Sequence, residues 1–153
     1  NKNLNYDGVV NETCYLNSHV EILYILKETW SKNNNNKYSI VKDMNEWICR
    51  LKKPFADKTL SKKMFDRLSE WTYGILHNCS SYEKVKEKLN ELPTYHYPLC
   101  CIGYINLSKL ITQNSTTSNS DLEKYFNQNK ELIKKQIKLL KPDVIIACGV
   151  NKT

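Results

Sequence analysis

The sequence predicts an α/β fold in which a parallel sheet lies between two layers of helices, a parallel-stranded three-layer α/β/α sandwich. Three short apolar runs alternate with longer segments whose apolar residues recur at helical spacing. The runs are continuously apolar, as in strands that are buried on both faces. The order of strand, helices, strand, helix and strand favours parallel pairing through helical crossovers. We therefore predict three adjacent parallel strands with the first in the middle.

The first predicted strand covers residues 20–26 and ends at Lys27 and Glu28. The segment before it, 1–17, is polar and contains a Tyr-Asp-Gly turn. Four consecutive Asn residues lie within the predicted loop 31–37 that follows. These boundaries place two charged side chains at the carboxyl end of the first strand.

Three helices are predicted between the first and second strands. Apolar residues recur every three or four positions over 40–51 and again over 60–75. A third helix, 82–92, is stopped by Pro93.

The second predicted strand, 99–105, ends at Asn106, and a polar loop follows it. Ser120 or Asp121 is a suitable N-cap for a long amphipathic helix that continues to Lys141.

The third predicted strand, 143–149, follows Pro142 and ends in Gly149. The chain stops where a loop, a helix and a fourth strand would complete such a sheet, so we expect the C-terminal part of the fold to be missing.

The composition is that of one globular domain covering residues 1–153, which we expect to be a monomer. No stretch approaches 18 apolar residues, so no transmembrane helix is expected. The net charge of +7 favours a polyanionic partner such as nucleic acid, although a drift towards Lys and Asn explains it equally well.

The six cysteines predict neither a disulfide nor a metal site. There is no C-x-x-C pair, and Cys100, Cys101 and Cys148 lie in apolar runs, where a free thiol behaves as a small apolar group. We expect Cys100 and Cys101 to point to opposite faces of one strand. The three histidines lack metal-ligand spacing. A reduced, cytoplasmic protein without a cofactor is the expectation.

The carboxyl ends of the strands are where ligands bind in such sheets. Glu28 and Asn106 each follow a strand directly, a carboxylate that can position water and an amide that can bind a base edge. The alternative is that Glu28 and Asn106 are loop residues exposed to solvent. No G-x-G-x-x-G, P-loop or G-x-S-x-G motif is present, which excludes several common classes of α/β enzyme.

Four segments, taken in order, resemble the uracil-DNA glycosylase superfamily, closest to its small microbial branch. They are LKETW at 26–30, KPFAD at 53–57, GYINLSK at 103–109 and LKPDVIIACG at 140–149. The first segment lacks the Gly and Pro residues of the family motif. The cysteines of the iron–sulfur branch are absent, so we expect no cluster.

The resemblance implies excision of uracil or a related base from DNA. Glu28 would hold or activate the attacking water, Asn106 would pair with uracil, and Phe55 would stack on the flipped base. Lys109 and Lys27 would contact phosphates. A core position for Phe55 and a solvated helix face for Lys109 are the alternatives.

Two other hypotheses remain open at this point. The protein could be a member of the same fold that has lost catalysis and binds nucleic acid or a protein partner. An unrelated α/β domain could act on a free nucleotide.

Overall fold

The computed structural model describes residues 4–30, 37–49, 60–79, 81–112 and 118–149. The elements of the first half, in chain order, are β1 (Leu4–Tyr6), β2 (Gly8–Val9), α1 (Glu12–Leu16), β3 (Ile22–Leu26), β4 (Thr29–Trp30), β5 (Lys37–Ser39) and α2 (Ile40–Met44), which continues into a π-helical turn (Asn45–Cys49). The elements of the second half are α3 (Leu60–Leu76), α4 (Tyr82–Asn90), a 3₁₀ helix (Tyr97–Cys101), β6 (Ile102–Asn106), β7 (Ile111–Thr112), α5 (Asn119–Leu140) and β8 (Val144–Ala147).

The central sheet has four strands in the order β2-β6-β3-β8. β3 is parallel to β6 on one side and to β8 on the other. The prediction that the three apolar runs form adjacent parallel strands with the first in the middle is therefore confirmed. The fourth strand, β2, pairs antiparallel with β6 and makes the sheet mixed, where an all-parallel sheet was predicted.

Helices cover both faces of this sheet. On one face, Ile22, Tyr24 and Leu26 belong to a buried cluster that includes residues of α2, the π-helical turn and α3. On the other face, Leu23 and Ile105 pack with residues of α5. Alternate residues of β3 thus enter opposite cores, which explains why the strand is continuously apolar.

The long helix α5 begins earlier than predicted. Its N-cap is Ser118, whose hydroxyl accepts a hydrogen bond from the Asp121 backbone at 3.2 Å. The predicted caps, Ser120 and Asp121, lie in the first turn instead. The helix ends at Leu140, and its C-cap residue Lys141 adopts the left-handed conformation with φ of 47°.

The second strand is shorter than predicted because residues Tyr97–Cys101 form a 3₁₀ helix with Pro98 in its first turn. The prediction that Cys100 and Cys101 lie on opposite faces of one strand is wrong. The prediction of no disulfide is also wrong, because Cys100 is disulfide-bonded. The spacing of cysteines along the sequence does not show which of them the fold brings together, and the apolar run around Cys100 indicates only burial.

Four other cysteines, Cys14, Cys79, Cys101 and Cys148, are free. Burial raises the pKa of the Cys101 thiol to about 11, and the neighbouring Cys14 adds to this shift. A thiol with so high a pKa is a poor nucleophile at neutral pH.

Across the described ranges, none of the helices combines the length and the apolar character needed to cross a membrane.

Candidate functional site at the carboxyl edge of the sheet

The carboxyl ends of β3 and β6 lie side by side and are joined by hydrogen bonds. Leu26 is in register with Asn106, the last residue of β6. The Leu107 backbone then donates to the Leu26 carbonyl at 2.8 Å, and the Ser108 backbone donates to the Lys27 carbonyl at 2.9 Å. Residues that follow the two strands therefore meet at one edge of the sheet.

The end of β8 joins the same edge. The Cys148 backbone donates to the Ile25 carbonyl at 2.8 Å. Gly149 adopts φ of +67°, and a Cβ at this position would lie 3.4 Å from Cε of Lys27. The half-buried Lys27 side chain therefore passes directly over the turn that follows β8.

Glu28 is half-buried at this edge, two residues beyond the end of β3. Its Oε2 atom is buried and accepts no hydrogen bond in the part of the chain that the structure describes. A buried carboxylate oxygen without a donor loses hydration energy that only a new partner can restore. Glu28 is therefore suited to accept a hydrogen bond from a water molecule or a ligand.

Asn106 is fully buried. Its register with Leu26 places its side chain on the face of the sheet that packs against α2 and α3. Because the amide has no exposed surface, a base could reach it only if neighbouring side chains moved.

A buried carboxylate that the sequence did not reveal holds the end of β6. Asp7 Oδ2 accepts hydrogen bonds from the Asn106 backbone at 2.8 Å and from Lys109 Nζ at 2.7 Å. Its Oδ1 accepts from Gln136 Nε2 of α5, also at 2.8 Å. No sequence signal marks Asp7, because its partners lie about 100 or more positions away and its immediate neighbours indicate only a turn.

Lys109 lies within this cluster and not on the surface. The side chains of Lys109 and Asp7 are 10% and 3% exposed, respectively. Burial lowers the pKa of Lys109 below its usual value, while the Asp7 carboxylate acts in the opposite direction. In this structure the Lys109 ammonium neutralises a carboxylate, whereas the sequence-based expectation was a phosphate contact.

The structure thus brings four of the five predicted site residues to one edge: Glu28, Lys27, Asn106 and Lys109. The fifth, Phe55, lies outside the described residues. Asp7 and Gln136 are the members of this region that sequence reasoning missed.

Exposed lysines line the outer face of α5. They are Lys124, Lys130, Lys134, Lys135 and Lys138, and Lys141 follows at the C-cap. Lys134 pairs with Glu131 at 3.0 Å, and Glu123 lies among them. This face carries a net positive charge, which Glu123 and Glu131 reduce in part.

A second polar cluster lies away from this edge, between α3 and the segment before the 3₁₀ helix. The buried His96 contacts Asp66 with 2.7 Å between Nε2 and Oδ1, and Lys62 contacts the same carboxylate at 3.0 Å. Tyr95 donates to the buried Glu70 at 2.9 Å. Within the described ranges, no group of three His, Cys, Asp or Glu side chains could hold a metal ion.

Burial lowers the pKa of His96 below its usual value near 6.5, although Asp66 opposes this shift. The folded state then binds this proton more weakly than the unfolded chain, so acidification favours unfolding. We expect the free energy of unfolding to decrease as the pH falls from about 7 to about 5. Urea unfolding at several pH values measures this slope. It should be shallower in His96→Gln, and equal slopes in the two proteins would contradict the assignment.

Comparison with known proteins adds no relative. No family model, no curated protein and no solved structure matches the chain. The functional argument therefore depends on the chemistry of the sheet edge.

Proposed function

We propose that the protein is a DNA base-excision glycosylase that hydrolyses the N-glycosidic bond of uracil or a related damaged base. One observation carries this proposal: Glu28 follows β3 and Asn106 ends β6, two adjacent parallel strands whose ends are joined by backbone hydrogen bonds. Two groups supply the functions that this reaction needs: a carboxylate whose buried Oε2 has no hydrogen-bond partner among the described residues, and an amide at the neighbouring strand end.

The first function is recognition of the base. The target nucleotide must leave the duplex, because its reactive bond is otherwise inaccessible to the enzyme. The Asn106 amide can donate to uracil O4 and accept from N3–H, a pattern that cytosine does not match. Since Asn106 is buried, the proposal includes a local opening of the edge when DNA binds. Phe55 is proposed to stack on the base.

The second function is hydrolysis. Water held by Glu28 adds to C1′ while the bond from C1′ to the base nitrogen breaks. The bonding electrons leave with the base, and Glu28 accepts the proton of the water. No cofactor is needed in this scheme. A monomer that acts on DNA in the cytoplasm fits the proposal.

Phosphate binding is assigned to Lys27 and to the exposed lysines of α5, because Lys109 is paired with Asp7. Each phosphate that a lysine neutralises releases counterions, so binding should weaken as salt increases.

A second candidate function is a binding module without catalysis. The complete burial of Asn106 favours it, since the base-binding amide is not accessible in this conformation. Such a protein would bind DNA through the same lysines and leave the glycosidic bond intact.

Incubation with two oligonucleotides, identical except for a single uracil or thymine, tests the proposal. Alkali cleaves the backbone wherever a base has been lost. We expect strand breaks at the uracil and none at the thymine. Intact uracil DNA that the protein nevertheless binds would favour the binding module. Neither excision nor binding would contradict both candidate functions.

A further inference from the structure

We propose that Asp7 is a positioning residue that fixes the carboxyl end of β6, and with it Asn106, in the working geometry of the site. The inference rests on the proposed function, because it assigns Asp7 a part in presenting the base-binding amide. Asp7 itself need not touch the DNA.

The first argument is the number and direction of the contacts. The two oxygens of Asp7 accept three hydrogen bonds, each 2.7–2.8 Å long, from the Asn106 backbone, Lys109 Nζ and Gln136 Nε2. The three donors come from the end of β6, the segment after it and helix α5. One side chain therefore connects the strand end to the helix that covers the sheet.

The second argument is that Asp7 is itself held in place. It lies between β1 and β2, and Gly8 of β2 pairs with Tyr104 of β6. The Asn5 backbone donates to the Lys109 carbonyl at 2.9 Å. The carboxylate is thus fixed by its own backbone on both sides and can define where its donors lie.

The third argument concerns the group that Asp7 holds. The Asn106 N–H lies next to the Cα that carries the Asn106 side chain. Rotation of this peptide unit would therefore redirect the side-chain amide. A charge-assisted hydrogen bond restrains it more strongly than a bond to a neutral acceptor. Lys109 places a positive charge 2.7 Å from the same buried side chain, which adds an ion pair to the three hydrogen bonds.

Hydrogen exchange measured by NMR on the ¹⁵N-labelled protein tests this restraint. In Asp7→Asn, a neutral acceptor replaces the carboxylate, and we expect exchange at the Asn106 amide to become about tenfold faster or more. Amides of the β3–β8 ladder, such as those of Tyr24 and Ile146, should change much less. The excision assay, run on the same variant, should show about tenfold lower kcat with little change in KM.

Asp143→Asn is the matched control. Asp143 also accepts a backbone hydrogen bond, from Glu21 at 2.9 Å, but at the opposite end of the sheet. This variant should leave both Asn106 exchange and excision unchanged. If Asp7→Asn does not fold, the Asp7→Asn/Lys109→Met double variant, which buries no unpaired charge, carries the same measurement.

Unchanged exchange at Asn106 in a folded Asp7 variant would overturn the inference. Equal acceleration at all sheet amides would also overturn it, since Asp7 would then serve only general stability. If wild-type protein excises no base, the proposed function fails on that result alone. The exchange data then still decide whether Asp7 holds Asn106.

Discussion

Glu28→Gln is expected to lower the rate of uracil excision by about 10²- to 10⁴-fold, the range usual for loss of a general base. The amide keeps the shape of the side chain but cannot accept the proton of the attacking water. Its carbonyl oxygen also attracts that water less strongly than a carboxylate. DNA affinity should change little, because removing one negative charge near a polyanion does not weaken binding.

Single-turnover excision with protein in excess over uracil oligonucleotide measures this effect without a contribution from product release. A parallel titration of uncleavable DNA measures affinity. The matched control is Glu123→Gln, which makes the same chemical change at an exposed position of α5. Excision by Glu28→Gln at the wild-type rate would exclude Glu28 as the water-binding carboxylate.

Lys109→Met is expected to reduce the free energy of unfolding by about 3–5 kcal/mol, the usual cost of breaking one side of a buried ion pair. The substitution leaves the Asp7 carboxylate buried among two remaining donors and without a compensating charge. Asp7→Asn should cost less, because the oxygen of the new amide can still accept a hydrogen bond from Lys109 Nζ. The double variant should be more stable than the sum of the single losses predicts.

Urea unfolding at neutral pH gives the four free energies of this cycle. Lys134→Met serves as the control, because Lys134 forms an ion pair with Glu131 that is exposed on both sides. Loss of an exposed pair costs less than about 1 kcal/mol. Equal losses for the two lysine variants would show that burial does not strengthen the contact between Lys109 and Asp7.

The sequence predicts the central strands well because their signal is local. Continuous apolar runs identify β3, β6 and β8, and the polar residues that end them identify Glu28 and Asn106 as edge residues. The pairing order then follows from the handedness of the crossovers.

Elements whose identity depends on distant partners could not be predicted. β2 has two residues, too few to show any periodicity, and it exists because β6 offers an unpaired edge. Asp7 looks like a turn residue until the fold brings Lys109 and Gln136 to it.

The 3₁₀ helix shows a different limit of prediction from the sequence. Leu99 and Cys100 are buried and apolar, and a short apolar run does not distinguish a strand from a helical turn. The disulfide at Cys100 depends on tertiary proximity, which the spacing of cysteines along the chain does not reveal.

The central position of β3 has a kinetic consequence. Ile22 pairs with Ile102, 80 positions further along the chain, and with Val144, 122 positions further. Both ladders of this strand therefore close long loops before they contribute any stability, and loop closure of this kind slows folding. The backbone hydrogen bonds within helices α3, α4 and α5 join residues that are close in sequence, so these helices can form early. We expect the sheet to assemble late, because β8 can join β3 only when the chain from Ile22 to Val144 is present.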